Sequence, residues 1–589
     1  MNPRRLAATL LLSASAAAQQ GFEHVLPADT LAFVGVADVE QVSRDFRASS
    51  SGRFWYDPAC AALRDALADR IDVLTAQVHA ELGVDPLELL DMLHGRVALA
   101  FVGTPGDAQA FHDDEDVAGL AVVLLADVGE DRDRCAQVVD ALAARLADDA
   151  GAVRKSNLVG ETEVAVLELS GPGDGDGLVR LNYAFHGGTL LVTLEKHPLP
   201  KEPLDALLAR LDGVAGETLS DRPGFRGSLA GEAGGLQGWA DLGRVMDFVH
   251  EAVAEADDDD LRMMERLGLF DLGCLSFSSR YAAGESRFDL SLDWGGGGWI
   301  PSFMRLLCVS GPAGSLGAVP QDCRSAVAAR LDFGGLFDTT VKALIESGEV
   351  AMSEVTGFLA ASEEMLGFNL RDDLLDALDG QVTVVTCEVD AAEAFMGTEA
   401  DPQNYALLVG LKDGARINTL VEDAVRRMGL HAARKRQEFQ GYEMFNVPVF
   451  PGIEVSYAIL PDMAVISLSG TLLQDVLRRK AGGDLPALAG DQDFTARAAR
   501  LLRQPGLLQY TDTAGSVKGA FRALGGLSEM FSRMARNAPD EVPGLGELFS
   551  LLSELPAVDE AVIDRHFKGA SVTAMAIDEK GLTLQSVSP

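Results

Sequence analysis

The stretch Leu89-Leu90-Asp91-Met92-Leu93-His94-Gly95-Arg96-Val97 decides the fold prediction. It recurs in the second half of the chain as Leu374-Leu375-Asp376-Ala377-Leu378-Asp379-Gly380-Gln381-Val382. Each copy is preceded by Leu-Gly and followed by an apolar run typical of a strand, at residues 97–102 and 382–385. Because two long stretches of one chain match in order and spacing, the sequence predicts an internal duplication.

Later elements follow in the same order in both halves. Apolar residues three and four positions apart predict amphipathic helices near residues 135–146 and 417–428, and again at 204–211 and 472–477. A strand containing Tyr183-Ala184 is matched by one containing Tyr457-Ala458. We therefore predict an α+β fold of two tandem homologous repeats, each a mostly antiparallel sheet with packed amphipathic helices.

The predicted boundaries are a signal peptide at 1–18, repeat 1 at 19–293, a Gly/Pro-rich linker at 294–318 and repeat 2 at 319–589. The first segment joins the basic pair Arg4-Arg5 to an apolar stretch that ends in Ala16-Ala17-Ala18. It predicts export to the periplasm or the extracellular space. No later segment approaches the ~20 apolar residues of a membrane span.

The charge balance restricts the partners. The chain has 89 Asp and Glu against 49 Lys and Arg, a formal net charge of -40. Such a field repels nucleic acid and favours basic partners. A basic cluster, Arg426, Arg427, Arg434, Lys435 and Arg436, stands out against it. The cluster could bind an anionic polysaccharide or an acidic patch of a partner protein. The alternative is that its cations complement the dipole at the end of a predicted helix.

Six cysteines remain in a chain expected to reach an oxidising compartment. Cys308 and Cys323 flank a Gly/Pro-rich stretch, so they are the first pair to test for a disulfide. The alternative is a set of buried free thiols. The absence of a Cys-x-x-Cys pair argues against a redox or zinc site.

Four aspartates follow predicted strands and precede helical patterns: Asp38, Asp241, Asp332 and Asp512. They either converge on a metal ion or cap the helices that follow them. For a metal, calcium suits the acidic runs at 113–116, 174–177 and 257–260 best, but none of them fits an EF-hand. The sequence therefore assigns no metal ligand, and calcium remains only a weak expectation.

Catalytic signatures are missing from the sequence. It contains no Gly-x-Ser-x-Gly elbow, no His-Glu-x-x-His and no phosphate loop, and the glycines at 171–175 precede a strand. His94 has Asp379 as its counterpart, which argues against a catalytic histidine shared by both repeats. Phe54-Trp55-Tyr56 and the pair Trp294 and Trp299 are either sugar-stacking platforms or packing residues. No catalytic or cofactor-binding residue is assigned.

The opening Leu26-Pro27-Ala28-Asp29-Thr30, the cluster Phe54-Trp55-Tyr56-Asp57-Pro58 and the repeated Leu-x-Gly-x-Val stretch together resemble a family of exported bacterial proteins of unknown function. The resemblance implies export and an α+β repeat, and it carries over no catalytic residue. The second copy departs from the pattern, since it lacks the aromatic cluster and has Cys323 in place of Thr30. We expect a non-enzymatic binding or structural role, with a secreted hydrolase built from a non-local site as the alternative.

Overall fold

The structure is a computed structural model of the 589-residue chain. It describes residues 21–68, 76, 86–103, 121–170, 178–197, 203–225, 235–254, 258–282, 284–311, 314–346, 350–387, 405–450, 453–521 and 558–589. The predicted signal peptide lies outside the described residues, as do the acidic runs at 113–116 and 174–177 and the glycines at 171–175.

The chain divides into two compact units. Unit 1 comprises Met1–Gly52 and Leu67–Gly296, and unit 2 comprises Arg53–Ala66 and Gly297–Pro589. The predicted first repeat therefore differs from unit 1 at residues 53–66, which belong to unit 2. The reason is local packing, because Phe54 and Cys60 share a buried cluster with Val562, Ile563 and Phe567.

Ten described strands of unit 1 pair antiparallel in the order β10-β9-β8-β1-β2-β3-β7-β6-β5-β4. Their bounds are β1 Thr30–Val36, β2 Val97–Val102, β3 Ala121–Asp127, β4 Val153–Val159, β5 Thr162–Ser170, β6 Leu178–His186, β7 Thr189–His197, β8 Leu236–Asp241, β9 Leu272–Ala282 and β10 Glu285–Trp294.

Ten described strands of unit 2 pair antiparallel in the order β20-β19-β18-β11-β12-β13-β17-β16-β15-β14. Their bounds are β11 Ser325–Arg330, β12 Leu378–Thr386, β13 Tyr405–Leu411, β14 Lys435–Phe439, β15 Tyr442–Phe450, β16 Ile453–Ile459, β17 Met463–Ser467, β18 Leu507–Asp512, β19 Ala570–Ile577 and β20 Gly581–Ser588. Counted along the chain, the two units place their strands in the same order.

The α-helices with described bounds follow the chain in this order: α1 Val39–Ala48, α2 Ser50–Trp55, α3 Pro86–Asp91, α4 Arg132–Ala150, α5 Pro203–Leu211, α6 Leu242–Ala254, α7 Asp258–Leu267, α8 Trp299–Leu307, α9 Phe333–Glu346, α10 Met352–Leu366, α11 Gly414–Arg427, α12 Gly470–Lys480, α13 Gln492–Ala498 and α14 Glu560–His566. The predicted mixture of helices and antiparallel strands is confirmed. No helix among these described residues is long and apolar enough to cross a membrane.

The amphipathic spacing read from the sequence places the cores. In unit 1, Leu204, Leu207 and Leu208 of α5 are buried against the sheet with Val123, Leu125 and Leu191. In unit 2, Leu473, Val476 and Leu477 of α12 are buried in the same way against Leu408 and Val465. Each unit therefore buries one sheet face beneath the helix that the three- and four-residue spacing predicted.

The segment expected to be a linker contains a helix. Residues 299–307 form α8, although glycine and proline occur on both sides of it. Trp299, Ile300, Phe303, Leu306 and Leu307 give this segment an apolar helical face, and Pro301 lies in the first turn, where it costs no internal hydrogen bond. The Gly/Pro content marked the ends of the helix and did not exclude it.

Candidate binding site

The candidate site is a concave region of unit 1 where helix α4 crosses strands β4, β5 and β6. It has a volume of about 1100 Å³. The lining side chains are polar or charged for the most part, and they include Arg132, Asp140, Arg154, Lys155, Ser156, Glu161, Thr162, Glu163, Ala165, Tyr183, His186 and Asp212. Three of these carry positive charge and four carry negative charge, so the site is nearly balanced within a strongly acidic chain.

A triangle of three side chains forms the base of the site. The Tyr183 hydroxyl donates to Asp140 Oδ1 at 2.6 Å, and Arg154 Nη2 donates to the same oxygen at 2.5 Å and to the tyrosine oxygen at 2.8 Å. Tyr183 is buried, and this burial, followed by its hydrogen bond to Asp140, raises its pKa well above the ordinary value. Tyr183 therefore stays a neutral donor and orients the two charged groups.

Arg154 remains accessible at the base. Its side chain is 43% exposed and that of Asp140 is 53% exposed, so both charged groups can still meet a ligand. Around them, Lys155 Nζ lies 2.5 Å from Glu168 Oε2, and Ser156 Oγ donates to Glu163 Oε1 at 2.7 Å. Arg132, in the first turn of α4, has no ion-pair partner among the described residues, so its guanidinium is available at the rim.

A histidine lies at the other side of the site. The Thr162 hydroxyl is 3.2 Å from His186 Nδ1, and His186 Nε2 is 3.4 Å from Asp212 Oδ1. The β4–β5 hairpin supplies Thr162, and the β6–β7 hairpin supplies His186. These groups provide further donors and acceptors next to the triangle.

Unit 2 contains a corresponding triangle of side chains, in which the arginine contacts both the tyrosine and the carboxylate. Arg434 Nη1 donates to the Tyr457 hydroxyl at 2.9 Å, and Arg434 Nη2 lies 2.7 Å from Glu422 Oε1. Glu422 belongs to α11, Arg434 precedes β14 and Tyr457 belongs to β16, which are the counterparts of α4, β4 and β6. Both arginines lie five residues before the last pair of their hairpins, Val159 with Thr162 and Phe439 with Tyr442.

One residue distinguishes the two triangles. Phe445 lies opposite Tyr457 in the sheet and stacks on it with ring centres 5.2 Å apart, and Arg434 lies over the Phe445 ring at 4.0 Å. In unit 1 the residue opposite Tyr183 is Ala165. The side chain of Arg434 is only 8% exposed, against 43% for Arg154. The alanine therefore leaves the triangle of unit 1 open where the phenylalanine covers that of unit 2.

The basic cluster predicted from the sequence is divided by the structure. Arg426 and Arg427 lie in the last turn of α11, Lys435 pairs with Glu454 at 3.0 Å, and Arg436 pairs with Glu443. Arg434 alone enters the triangle. Only Arg426 and Arg427 lie at the end of the helix, a position expected of all five, and four of the five residues lie outside the triangle.

The four aspartates cap helices. Each accepts a hydrogen bond from a backbone N–H three residues later, at 2.8–3.2 Å, donated by Gln41, Arg244, Gly335 and Gly515. Asp38 follows β1 and Asp241 is the last residue of β8. Because these neighbouring strands are antiparallel, the two carboxylates lie at opposite ends of the strand pair. Among the described residues no cluster of His, Cys, Asp or Glu is arranged to hold a metal ion.

Four of the six cysteines and Phe54 are buried, whereas Tyr56 is exposed. The pair Cys308 and Cys323 does not form the disulfide that the sequence suggested. Cys323 is buried in the core of unit 2, and Cys308 donates to the Met575 carbonyl oxygen at 3.4 Å. Phe54 packs in a buried cluster, while Trp294 donates to the Gly268 carbonyl at 2.9 Å. None of these aromatics lines the candidate site.

His94 forms a separate surface cluster. Its Nε2 lies 2.7 Å from Asp131 Oδ2 and its Nδ1 lies 3.2 Å from Glu40 Oε1. The hydrogen bond to Asp131, and then that to Glu40, raises the pKa of His94. Its counterpart Asp379 instead accepts the backbone N–H of Gln381 at 2.7 Å. The cluster is therefore particular to unit 1.

Comparisons with known proteins give two partial structural similarities. No family model matches the chain, and no curated protein matches it. Two solved structures are similar to part of it at 11% identity. The structure of crystal form III of TP0453 covers 49% of this chain and 88% of its own, with a TM-score of 0.24. Crystal form I covers 46% and 79%, with a TM-score of 0.21. These scores are too low to inform either fold or function.

Proposed function

We propose that the protein is an exported, non-enzymatic binding protein that takes an oligosaccharide in the open site of unit 1. The observation that carries the proposal is the open triangle of unit 1. Ala165 leaves Arg154 exposed there, whereas Phe445 covers the corresponding Arg434 in unit 2. A volume of about 1100 Å³ exceeds the needs of a single sugar ring.

The chemistry of the lining favours a polyhydroxylated ligand. Each sugar hydroxyl both donates and accepts a hydrogen bond. Arg132 and Arg154 offer donors, while Asp140, Glu161 and Glu163 offer acceptors within the same cavity. A purely anionic ligand would meet four carboxylates there, and a purely cationic one would meet the arginines. The mixed lining therefore matches neutral or mixed-charge glycans better than either kind of ion.

A substitution copied from unit 2 tests the site. Ala165→Phe introduces the aromatic ring that Phe445 places at the matching position, so the variant should fold and its site should be filled. We expect a glycan microarray to identify an oligosaccharide, and titration calorimetry to show binding weakened at least about tenfold in the variant, or roughly 1.4 kcal/mol.

The control is Val34→Phe, which adds a ring to the same sheet at an exposed position that does not line the site. It should bind as the unaltered protein does. Equal affinity in all three proteins, or no glycan bound by the unaltered protein, would contradict the proposal.

A hydrolase is the second candidate, because two side-chain arrangements bring a hydroxyl to a histidine. Within the site, His186 contacts Thr162 through Nδ1 and Asp212 through Nε2. Elsewhere in unit 1, Ser220 Oγ lies 2.8 Å from His24 Nδ1. In both, the hydroxyl faces Nδ1 of the histidine, whereas the nucleophile of a serine hydrolase faces Nε2. Turnover of a bound glycan or ester that disappears in His186→Ala would establish the hydrolase and overturn a purely binding role.

Export and duplication are parts of the same proposal. The basic pair and apolar stretch of residues 1–18 support export, and an N-terminus at Gln19 in the protein recovered from the periplasm or medium would test it. The matching strand orders and the two triangles support descent from one duplicated unit. Superposition of the two units in a crystal structure, with paired strands overlaid, is the corresponding test.

A further inference from the structure

Two cysteines of unit 2 lie at the ends of neighbouring strands. Cys323 lies two residues before β11, and Cys387 directly follows β12, which pairs antiparallel with β11. Ser325 faces Thr386 in this pair, and the backbone N–H of Arg324 donates to the carbonyl oxygen of the same Thr386 at 2.8 Å. Since two consecutive residues of one strand meet one residue of the other, as in a β-bulge, Cys323 and Cys387 are the next residues to face each other.

Unit 1 shows the same irregularity at the matching place of its sheet. Ala32 of β1 faces Phe101 of β2, after which the register shifts by one residue and Thr30 faces Val102. Thr30 and Val102 are both buried. The pairing beyond the shift therefore places two buried side chains opposite each other, one from each strand.

The two cysteines take the places of this threonine and this valine. The opening Leu26-Pro27-Ala28-Asp29-Thr30 aligns with Val319-Pro320-Gln321-Asp322-Cys323. Cys387 and Val102 each come directly after the strand residue that meets the bulge. Unit 1 has no cysteine at either position, so unit 2 alone carries a pair of thiols at these facing positions.

Both cysteines are directed towards the same core. Cys323 is buried within the main apolar cluster of unit 2, and the partly buried Cys387 packs against that cluster. Burial first, and then the neighbouring Cys387, raises the pKa of the Cys323 thiol to about 12. Residues that face each other across antiparallel strands have Cα atoms about 4.5–5.5 Å apart, which lies within the range of about 4.4–6.8 Å that a disulfide requires.

We propose that Cys323 and Cys387 form a disulfide that fastens the start of β11 to the end of β12. The step is an oxidation, in which the two thiols lose two protons and two electrons as the S–S bond forms. A disulfide oxidant such as glutathione disulfide accepts them by thiol exchange and is reduced to two thiols.

The surroundings of the pair set when and where this bond forms. Because the folded protein buries Cys323, the exchange takes place before the core of unit 2 closes over that thiol. Formation in the cell rests on the proposed export, since an oxidising compartment permits disulfides and the cytosol keeps thiols reduced.

The test unfolds and reduces the purified protein, refolds it in a glutathione redox buffer and maps its cysteines by mass spectrometry under non-reducing conditions. We expect one linked pair of peptides that contains Cys323 and Cys387, with four of the six cysteines left as thiols. Because the buffer supplies the oxidant, this result does not depend on export or on the oligosaccharide site. Six thiols in the refolded protein, or a bond from Cys323 to another cysteine such as Cys308, would overturn the proposal.

A variant copied from unit 1 measures what the bond contributes. Cys323→Thr with Cys387→Val places the residues of unit 1 at both positions. Refolded in dithiothreitol instead of the redox buffer, the unaltered protein should melt at least about 4 °C lower in unit 2, whereas the variant should melt alike in both. The control Cys135→Ala removes a thiol of unit 1 and should keep the full difference. An unaltered protein that melts alike in both buffers, or a variant that keeps the difference, would contradict the proposal.

Discussion

Asp57 lies where residues 53–66 meet the C-terminal helix of unit 2. It accepts hydrogen bonds from His566 Nε2 at 2.7 Å and from Arg565 Nη1 at 2.9 Å through the same oxygen, Oδ2. Its other oxygen accepts the backbone N–H of Ala59 at 2.9 Å. The hydrogen bond from His566, followed by that from Ala59, lowers the pKa of Asp57 from 3.8 to about 2. The residue is therefore held in its charged form by its surroundings.

This depressed pKa predicts an acid-dependent contribution to stability. Because the charged form is favoured in the folded protein, the contribution is complete above pH 3.8 and is lost as pH falls towards 2. Asp57→Asn should lower the free energy of unfolding at pH 5, and the difference from the unaltered protein should shrink towards pH 2. Urea unfolding across that range measures it. Asp65→Asn, an exposed carboxylate of the same segment, should show no such trend.

His94 predicts the opposite dependence. Its pKa is raised by Asp131 and then by Glu40, so its contribution is complete below its unfolded pKa of about 6.5 and is lost as pH rises through the higher folded value. Since the side chain is 37% exposed, the contribution should be under about 1 kcal/mol. His94→Gln should therefore destabilise unit 1 at pH 6 and have little effect at pH 9. A difference that grows with pH would contradict this assignment.

Among the elements, the short segment at 53–66 behaves as part of unit 2. Phe54 is 7% exposed and packs on Phe567 with ring centres 5.2 Å apart. Arg64 Nη1 donates to the Asp57 carbonyl oxygen at 2.9 Å and closes the segment on itself. The Phe54 ring and the buried Asp57 carboxylate thus attach this segment to the end of α14.

Removal of the anchor should destabilise unit 2. Phe54→Ala deletes a buried ring, and a large-to-small change in a core costs about 3 kcal/mol or more. Tyr56→Ala, two residues later at a 48% exposed position, should cost under about 0.5 kcal/mol. Chemical denaturation followed by a probe in unit 2 compares them. Equal losses would show that the segment is not held by Phe54.

For the whole molecule, the division into units does not follow the order of the chain. Residues 53–66 precede most of unit 1 but belong to unit 2. A fragment of residues 297–589 would therefore leave the apolar surface of Val562, Ile563 and Phe567 without its cover. A boundary chosen from the repeat alone would cut unit 2 into two pieces.

This division can be tested in trans. The fragment 297–589 should melt below the temperature of unit 2 in the full chain, and a synthetic peptide of residues 53–66 should raise its melting temperature. The same peptide with Phe54→Ala should have a much smaller effect. If neither peptide stabilises the fragment, residues 53–66 are not an integral part of unit 2.

Local patterns were sufficient for much of the fold. The helices around Cys135 and Ile417 and the strand of Tyr405 follow from the spacing of apolar residues, because that spacing states which side of an element is buried. The matched pair Tyr183 and Tyr457 was also visible as a repeated motif. Capping by the four aspartates needed only a residue type and its position before a helix.

The candidate site and the placement of residues 53–66 depended on tertiary structure. Asp140, Arg154 and Tyr183 come from three elements, and only the pairing of strands shows that Ala165 stands where Phe445 does. Phe54 and Phe567 are distant in sequence, so no local spacing relates them. Side-chain periodicity specifies the buried face of one element, whereas the partner of that face is selected by long-range packing among many similar apolar surfaces.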